Sequence, residues 1–483
     1  MNVDNNISTV ERTKFSFPVM ENIPLLIGLV IGLFFSIIGF GGVIKTLVIP
    51  ILIGFAFIIV AKPARILILI IYLSFFISGL SRYLPLPWGL GIDILLVLCW
   101  LVMFIKEFKN LKLVYLKNDF MVLSMLWMFY LVFLITNPES KSTEAWFYAM
   151  RGIGFYHVLI LSLTLLLFRD VKYLDKFLNT IIGLSVLGAL WGMKQKYIVL
   201  DDVENHWLWV DGHFDEHILF GVLRAFSFYS DAGQFGASQA MIAMMCCILF
   251  LQKNISLKLR IFYAIGFLFT FIGFGISGAR GALAIPAIGG FVFLILSKNI
   301  KLLTLGLIAF GITFYILKYT HVGHGVEQVR RMRTALASDN PSLNARKRNQ
   351  DIFGEYLKDK PLGGGVGSAG YWGNRFSPNT LLAQTPTDSY YVKIWVETGV
   401  IGVCFHVFIL GYIMGRAVSF INHLKSDNLK IKAIAIFSSI IGVLAASYGN
   451  QVFSQMPTGV IMSISIGLLF LMPHFDQQLK IVK

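Results

Sequence analysis

Residues 259–297 read LRIFYAIGFLFTFIGFGISGARGALAIPAIGGFVFLILS. They form two apolar runs, 259–277 and 281–297, which meet at Arg280. A helix that crosses a bilayer needs about 20 predominantly apolar residues, so each run predicts one membrane span. Between 274 and 286 the sequence has no acidic residue that would neutralise Arg280. The pattern therefore predicts a membrane protein with a positive charge at the junction of two spans.

The rest of the chain repeats this pattern of long apolar runs. Of the 483 residues, 56% are hydrophobic and 14% are charged. Fourteen apolar windows lie at 24–41, 44–60, 65–80, 89–105, 119–136, 146–168, 176–194, 233–252, 259–277, 281–297, 301–318, 390–415, 431–449 and 457–473. Because an α-helix satisfies its own backbone hydrogen bonds in lipid, the sequence predicts an all-α polytopic membrane protein. We expect about fourteen spans, and twelve or thirteen if the first two windows are not separate.

The charges in the loops predict the orientation of the spans. Residues 106–117 carry four lysines and one glutamate, whereas residues 196–232 carry seven acids and two bases. Cytoplasmic loops are enriched in Lys and Arg, so the first loop is predicted to be cytoplasmic and the second to lie outside. Both termini then lie in the cytoplasm. Residues 1–22 are polar, and no small-residue cleavage site follows the first apolar run, so we expect no cleaved signal peptide.

Two predicted outer segments are longer than simple turns. The segment 319–389 contains EQVRRMRTAL and RKRNQDIFGEYLKDK, which are typical of amphipathic helices, and it has nine Lys or Arg residues against six Asp or Glu residues. We therefore predict a helical loop domain there. The predicted divisions are a cytoplasmic N-terminus 1–22, an N-terminal membrane bundle 23–194, an outer loop 195–232, membrane helices 233–318, the loop domain 319–389, C-terminal membrane helices 390–473 and a cytoplasmic tail 474–483.

Several arginines are predicted to gather at the outer face. Arg280 follows one span, Arg224 precedes another, and Arg346 and Arg348 belong to the large loop. The planar guanidinium fork matches phosphate oxygens and keeps its charge at physiological pH. A lipid pyrophosphate presents its charge at this depth, so these residues are candidate ligands for it. The alternative is that each arginine snorkels to lipid head groups.

The formal charge of +15, from 41 basic and 26 acidic residues, has two explanations in a membrane protein. Cytoplasmic loops are rich in Lys and Arg, and the substrate is predicted to be anionic. We therefore expect no nucleic acid partner. The four cysteines lie in or beside apolar runs and are interpreted as small core residues.

Four motifs together carry a resemblance to a known family. They are RAFSFYSDAGQFG (224–236), SGARGA (277–282), PLGGGVGSAGYW (361–372) and DSYYVKIWVETGVIG (388–402), with Arg346 about fifteen residues before the glycine-rich turn. Their order and spacing, over about residues 215–415, resemble the O-antigen ligase and Wzy polymerase superfamily. The resemblance implies a membrane glycosyltransferase with a GT-C-like fold in the bacterial inner membrane, with its active site facing the periplasm.

The resemblance also implies the substrates. The donor is an undecaprenyl-pyrophosphate-linked glycan, the acceptor is a glycan, lipid A core or a protein, and membrane lipids surround the chain. No cofactor and no metal is expected, because the donor itself carries the bond energy. The residues expected to be catalytic are Arg280, Arg346 and Asp388. Those expected to bind substrate are Arg224, Asp231, Arg280, Arg346, Arg348, Gly365, Gly367, Tyr391 and Glu397.

Asp388 departs from the pattern of the family's ligases. Where they have a histidine followed by asparagine, this sequence has Asp388 and Ser389. An acidic residue there is more like the repeat-unit polymerases, which favours a polymerase, and ligases or protein-directed enzymes remain alternatives. Asp388 would act as a general base. The alternative is a helix N-cap, in which case His321 or His324 is the next candidate base.

Other features allow further interpretations. A transporter or flippase would place charges at mid-membrane, where Arg151 is the residue to watch, because it either reaches the outer site or pairs within the bundle. His213 and His217 have a spacing that suits a metal ion, although a solvated loop is the commoner case.

The glycine-rich turn contains G-x-G-x-x-G, but no strand precedes it, so a nucleotide site is disfavoured. Four aromatic residues in the outer loops are candidates for stacking on sugar rings, with interfacial anchoring as the alternative: Trp207, Trp209, Tyr371 and Trp372.

Overall fold

The computed structural model describes residues 62–481, except 85, 87, 108–111, 220, 254, 324, 326 and 336–340. The helices of the first half are α1 Pro63–Tyr83, α2 Trp88–Glu107, α3 Asp119–Phe133, α4 Thr143–Met150, α5 Tyr156–Leu167, α6 Val171–Met193, α7 Asp202–Trp209, α8 Phe214–His217 and α9 Ala232–Phe250. Those of the second half are α10 Leu257–Ser277, α11 Gly290–Leu296, α12 Ile300–Tyr319, α13 Glu327–Ala335, α14 Pro341–Leu357, α15 Gly370–Phe376, α16 Leu381–Gln384, α17 Tyr390–His423, α18 Asp427–Ala446 and α19 Thr458–Ile481.

Shorter elements connect or extend these helices. A two-stranded antiparallel hairpin pairs β1 Ile218–Leu219 with β2 Val222–Leu223, in the register Ile218–Leu223 and Leu219–Val222. The 3₁₀ turns are Leu113–Leu116, Leu134–Thr136 and Arg280–Leu283, and the π-helical turns are Arg151–Phe155, Lys194–Ile198 and Ile285–Gly289. The described chain is therefore mostly helical and has almost no strand, as the sequence predicts.

Within the described residues, eleven helices are long and apolar enough to cross a membrane. They coincide with eleven of the fourteen predicted windows. The windows 24–41 and 44–60 lie outside the described residues. The remaining window, 281–297, corresponds to the shorter apolar helix Arg280–Leu296. The helical, polytopic class is thus confirmed, while the total of fourteen spans stays a prediction.

The helix Arg280–Leu296 is interrupted twice. It begins as a 3₁₀ turn, continues through a π-helical turn that contains Pro286, and becomes α-helical only at Gly290. Proline has no backbone N–H and its ring clashes with the preceding turn, which explains the break. The break separates Arg280 from the regular helix that follows, so Arg280 lies on a turn.

Helices α9, α18 and α19 are the most deeply buried spans of the described chain. Helix α9 packs closely against α10, where small residues meet: a methyl group added at Gly236 would lie 2.2 Å from Ser277 Oγ. Small residues allow such close approach in membrane proteins. The ends of α9 and α10 are thereby held together. Helix α12, in contrast, buries none of its residues against the described chain.

The two predicted outer segments contain short helices. Residues 195–232 contain α7, α8 and the β-hairpin, and residues 319–389 contain α13 to α16. Helices α13 and α14 fall on the two amphipathic sequences noted above. Both segments contribute to the site described next.

Candidate active site

The turn after α10 brings two of the predicted arginines together. Helix α10 ends at Ser277, its C-cap Gly278 has a left-handed φ of +58°, and Arg280 begins the following 3₁₀ turn. Arg224 contacts this turn through its side chain: its Nε donates to the carbonyl oxygen of Ser277 at 3.1 Å. Its Nη1 donates to the carbonyl oxygen of Glu216 at 3.0 Å. Arg224 is therefore fixed against the SGARGA segment.

A third arginine, Arg331 of α13, lies on the same turn. A methyl group added at Gly278 would lie 2.8 Å from Arg331 Nη1, so a side chain at Gly278 would displace the guanidinium. Burial, together with the like charge of Arg331, lowers the pKa of Arg224 to about 10. Sequence reasoning missed Arg331 as a site residue, and its only signal was its place in the amphipathic EQVRRMRTAL helix.

Arg346 of α14 completes the group on the other side of Arg280. Its Nη2 donates to the carbonyl oxygen of Gly449 at 2.8 Å. A methyl group added at Gly449 would lie 3.7 Å from the Cα of Gly281 and 3.8 Å from Arg346 Nη1, so Gly449 lies between Arg346 and the Arg280 turn. Arg346 is also the neighbouring like charge that acts on Arg280.

We call Arg224, Arg280, Arg331 and Arg346 the arginine cluster. Neighbouring members repel one another, from Arg331 through Arg224 and Arg280 to Arg346. Asp231 and Glu216 attract Arg224, and Asp388 lies near Arg346. Like charges held this close favour a bound polyanion, since each guanidinium can donate two hydrogen bonds to it.

Asp388 lies at the edge of the arginine cluster. Its Oδ2 is 3.9 Å from Arg346 Nε, and about half of its side chain is exposed. The N-cap of α17 is Ser389, whose side chain makes no capping hydrogen bond. The alternative interpretation of Asp388 as the N-cap is therefore wrong, because the N-cap is the next residue, Ser389. Its carboxylate faces Arg346 and not the start of the helix.

The segment before α17 lies along the segment after α18. The backbone N–H of Tyr390 donates to the carbonyl oxygen of Ser447 at 2.9 Å, and Gln451 Nε2 donates to Thr387 Oγ1 at 2.9 Å. Tyr391, a predicted binding residue, donates its hydroxyl to the carbonyl oxygen of Leu444 at 2.8 Å. These bonds position Asp388 from both sides.

Asp231 caps a helix near the cluster. It is the N-cap of α9, and its Oδ1 accepts from the backbone N–H of Gln234 at 2.9 Å. Its Oδ2 accepts from Ser230 Oγ at 2.9 Å and from Gln455 Nε2 at 3.4 Å. Both oxygens therefore have protein partners, and Asp231 acts on Arg224 through its charge.

The glycine-rich turn packs backbone against backbone on α17. Gly399 has a φ of +72° inside α17, and a methyl group there would lie 1.9 Å from the carbonyl oxygen of Pro361. Added methyl groups at Gly365 and Gly367 would lie 2.8 Å from Ser140 Cα and 2.4 Å from the Ala145 carbonyl oxygen. The structure thus places these two glycines against protein; a role of theirs in binding substrate stays a prediction.

Glu397 lies inside this same junction. It is fully buried, and its carboxylate lies beside the backbone amides of Gly367 and Ala369. Neither carboxylate oxygen has a partner within hydrogen-bond geometry among the described residues. Glu397 is therefore enclosed in the turn–helix junction, apart from the exposed carboxylate of Asp388.

The remaining candidates lie outside the arginine cluster. Arg348 is exposed on α14 two positions after Arg346, and residues two apart on a helix do not share a face. His321 is exposed after α12, and His324 lies outside the described residues. Arg151 forms an ion pair with Asp93 of α2, which also accepts from Tyr156 Oη at 2.6 Å. Arg151 thus pairs within the bundle.

His213 and His217 pack on an aromatic side chain. The ring of His213 stacks on Trp207 at 4.1 Å, and His217 Nδ1 lies 2.9 Å from the carbonyl oxygen of His213. Burial lowers the pKa of His217 to about 4, so the ring is neutral at physiological pH. Both histidines therefore have a packing role.

Arg82 is a second residue that sequence reasoning missed. It lies at the end of α1, donates to the carbonyl oxygens of Ser227 (2.7 Å) and Tyr229, and lies over the rings of Trp207 and Phe226 at 4.1 and 4.6 Å. Cations bind to aromatic faces in this way. Arg82 thereby holds the chain just before Asp231. Its signal in the sequence was a lone arginine at the outer end of a predicted span.

Comparison with known proteins agrees with this location. Residues 265–407 match the family model described as O-antigen ligase. The match includes Arg280, Arg331, Arg346 and Asp388, and Arg224 precedes it. No curated protein matches the chain. The resemblance to this superfamily predicted from the sequence is confirmed.

Proposed function

We propose that this chain is a member of the O-antigen ligase and polymerase superfamily and that it transfers a glycan from undecaprenyl pyrophosphate to an acceptor hydroxyl at the periplasmic face of the inner membrane. The observation that carries the proposal is the arginine cluster with Asp388 at its edge, 3.9 Å from Arg346. A lipid-linked diphosphate is a polyanion, and a sugar acceptor needs a base. The cluster suits the first requirement and Asp388 the second.

The arginine cluster binds the diphosphate and stabilises it as the leaving group. As the bond between the sugar C1 and the phosphate oxygen breaks, negative charge grows on the diphosphate. Guanidinium groups already held around that position stabilise the transition state more than the ground state. Arg224 and Arg346 are held by backbone carbonyl oxygens, so little reorganisation accompanies the reaction.

Asp388 accepts the proton of the attacking hydroxyl. The acceptor oxygen forms a bond to C1 on the face opposite the leaving diphosphate, so the configuration at C1 inverts. The proton goes to the Asp388 carboxylate, and the electron pair of the broken bond stays on the undecaprenyl diphosphate. Arg346 orients the carboxylate across their 3.9 Å separation. General base catalysis of this kind contributes about 10²–10⁴-fold.

Among the possible acceptors we favour a growing polysaccharide. The support is Asp388, at the position where the family's ligases have histidine. Lipid A core and a protein hydroxyl are the alternatives, and the chemistry at C1 is the same for all three.

Deletion of the gene, followed by electrophoresis of the surface glycans, tests the proposal. Loss of the polysaccharide ladder with single-unit capping retained indicates a polymerase. Loss of all capping on lipid A core indicates a ligase, and normal lipopolysaccharide with under-glycosylated proteins indicates a protein glycosyltransferase. Unchanged glycans in all three fractions would contradict the proposed function, and a lipid-linked donor trapped on the cytoplasmic side would favour a flippase.

A further inference from the structure

A group of aromatic side chains, of which Tyr371 is exposed and the others are partly buried, adjoins the segment that carries Asp388. We call Tyr148 of α4 and Tyr371, Trp372 and Phe376 of α15 the aromatic ledge. Trp372 stacks on Tyr148 with ring centroids 4.7 Å apart and an angle of 14°, and Phe376 stacks on the same ring at 5.7 Å and 11°. The three nearly parallel rings thus form a rigid aromatic stack.

Tyr371 projects from this aromatic stack into solvent. Its side chain is 66% exposed, and its ring meets Trp372 edge-on at 4.8 Å and 80°. Arg375 Nη1 lies 3.4 Å from the Tyr371 hydroxyl, and the Arg375 guanidinium lies over Phe376 at 5.5 Å. The exposed ring therefore has an apolar face with a hydroxyl and a cation at its edge.

The Tyr148 ring of this aromatic stack packs on the charged side chain of Arg151. The Arg151 guanidinium lies 4.7 Å from the centre of the Tyr148 ring on α4, and its ion pair with Asp93 fixes it. The aromatic ledge thus rests on a buried, paired cation, and its rings are preorganised without a ligand. Preorganised side chains lose little conformational entropy on binding.

The aromatic ledge adjoins the catalytic segment directly. A methyl group added at Gly370, the first residue of α15, would lie 3.8 Å from Thr387 Oγ1, and Thr387 precedes Asp388. Helix α15 also packs on α16, because a methyl group at Gly373 would lie 3.4 Å from the Cα of Ala383. A chain of sugars with its hydroxyl at Asp388 would extend along this surface.

We infer that the aromatic ledge binds a sugar ring of the acceptor glycan, an assignment that rests on the proposed function. A sugar has an apolar C–H face and a hydroxyl edge, which match the face of Tyr371 and the polar groups beside it. The diphosphate is bound by the arginine cluster, and Arg346 marks that side of Asp388. Tyr371 then determines acceptor affinity and leaves donor binding unchanged.

The test uses full-length protein in nanodiscs and phosphate-free oligosaccharides of one to four repeat units, released from the organism's own surface polysaccharide. Binding is measured by saturation-transfer NMR and titration. Tyr371→Ala should weaken binding roughly tenfold, since it removes an aromatic stacking contact, and Tyr371→Phe should retain most of the affinity. Tyr197→Ala, which removes another tyrosine that is 63% exposed in the predicted outer segment 195–232, is the matched control and should bind as wild type does.

The same variants are then assayed for transfer. Tyr371→Ala should raise the KM for acceptor roughly tenfold and leave the KM for donor and kcat unchanged. Unchanged affinity in Tyr371→Ala, equal loss in Tyr197→Ala, or no oligosaccharide binding by wild type would overturn the aromatic ledge assignment. Wild-type protein that binds oligosaccharide through Tyr371 yet transfers nothing would retain the glycan site and contradict the transferase function.

Discussion

Arg346 Nε lies 3.9 Å from Asp388 Oδ2, although one residue is in α14 and the other precedes α17. The same arginine donates to the carbonyl oxygen of Gly449 and acts on Arg280. Arg346 therefore links the proposed base to the proposed anion site. In an inverting transfer, base and leaving group act on opposite faces of one carbon, and a residue that contacts both regions sets their separation.

Replacement of Asp388 separates catalysis from folding. Because Ser389 and not Asp388 is the N-cap, Asp388→Asn and Asp388→Ala should both fold normally and both lose about 10²–10⁴-fold in kcat. The measurement is turnover at saturating donor, with thermal unfolding in detergent as the check on folding. Ser389→Ala is the control, and its activity should stay near wild type. If Asp388→Asn retained full turnover, the base would have to be sought elsewhere, first at His321.

Arg280 should be required for donor binding. Loss of one charge-assisted phosphate contact costs about 1.5–3 kcal/mol, which corresponds to roughly ten- to a hundredfold in affinity. Arg280→Lys should recover little, since an ammonium group lacks the guanidinium fork. The measurement is binding of undecaprenyl-pyrophosphate donor to purified protein. Lys358→Ala, which removes an exposed cation in the same outer segment, should bind normally. A folded Arg280→Ala protein with unchanged donor affinity would contradict the role.

The junction between the glycine-rich turn and α17 should not tolerate a side chain. Gly399 has φ +72° and ψ −176°, a region occupied almost only by glycine, so Gly399→Ala should cost about 1–3 kcal/mol from the backbone alone. The methyl group would also meet the Pro361 carbonyl oxygen. Gly411→Ala in the same helix is the control, since nothing lies within 4 Å of the added methyl. Equal melting temperatures for the two variants would contradict this account.

His217 predicts a pH dependence of stability. Its pKa is lowered to about 4 mainly by burial; Arg224 and Arg82 also lower it, while the hydrogen bond to the His213 backbone and the charge of Asp231 raise it. The unfolded chain, with an ordinary pKa near 6.5, binds the proton more readily. This stability is therefore fully present above pH about 6.5 and is lost as the pH falls towards 4, by at most about 1.4 kcal/mol per pH unit.

The measurement is the unfolding temperature in detergent between pH 7 and pH 4.5. His217→Asn should start less stable at pH 7 and decline less steeply than wild type. His206→Asn, which replaces an exposed histidine of α7, should decline as wild type does. Parallel curves for wild type and His217→Asn would exclude His217 as the source.

Much of the fold could be predicted because the bilayer imposes its own length on each span. Hydropathy predicts the eleven long helices of the described residues, and the window 281–297 coincides with the shorter helix Arg280–Leu296, which is interrupted at Pro286. The motifs also directed attention to Arg224, Arg280 and Arg346, which the structure brings together. These residues occur in short patterns with recognisable order, so no tertiary information was needed to select them.

Other parts of the site depend on contacts between distant segments. Nothing local distinguishes Arg331 from Arg330 or Arg333, and only the approach of α13 to Gly278 selects it. The sequence predicts that Gly365 and Gly367 bind substrate, a role that stays a prediction, and it gives no sign that the structure places Ser140 and Ala145 against them. A glycine in the sequence shows only that no side chain is present at that position. The tertiary structure determines which group fills the space.

Arg331 gives the last prediction, because its neighbour provides a matched control. Arg331 lies against Gly278 and repels Arg224, whereas Arg330 on the same helix is exposed. Arg331→Ala should therefore weaken donor binding by roughly tenfold, the effect of one charge-assisted contact, while Arg330→Ala should leave it unchanged. Both variants remove one positive charge from α13, so a general effect of net charge would appear equally in both. Donor titrations at two salt concentrations make the comparison, and equal affinities for the two variants would remove Arg331 from the arginine cluster.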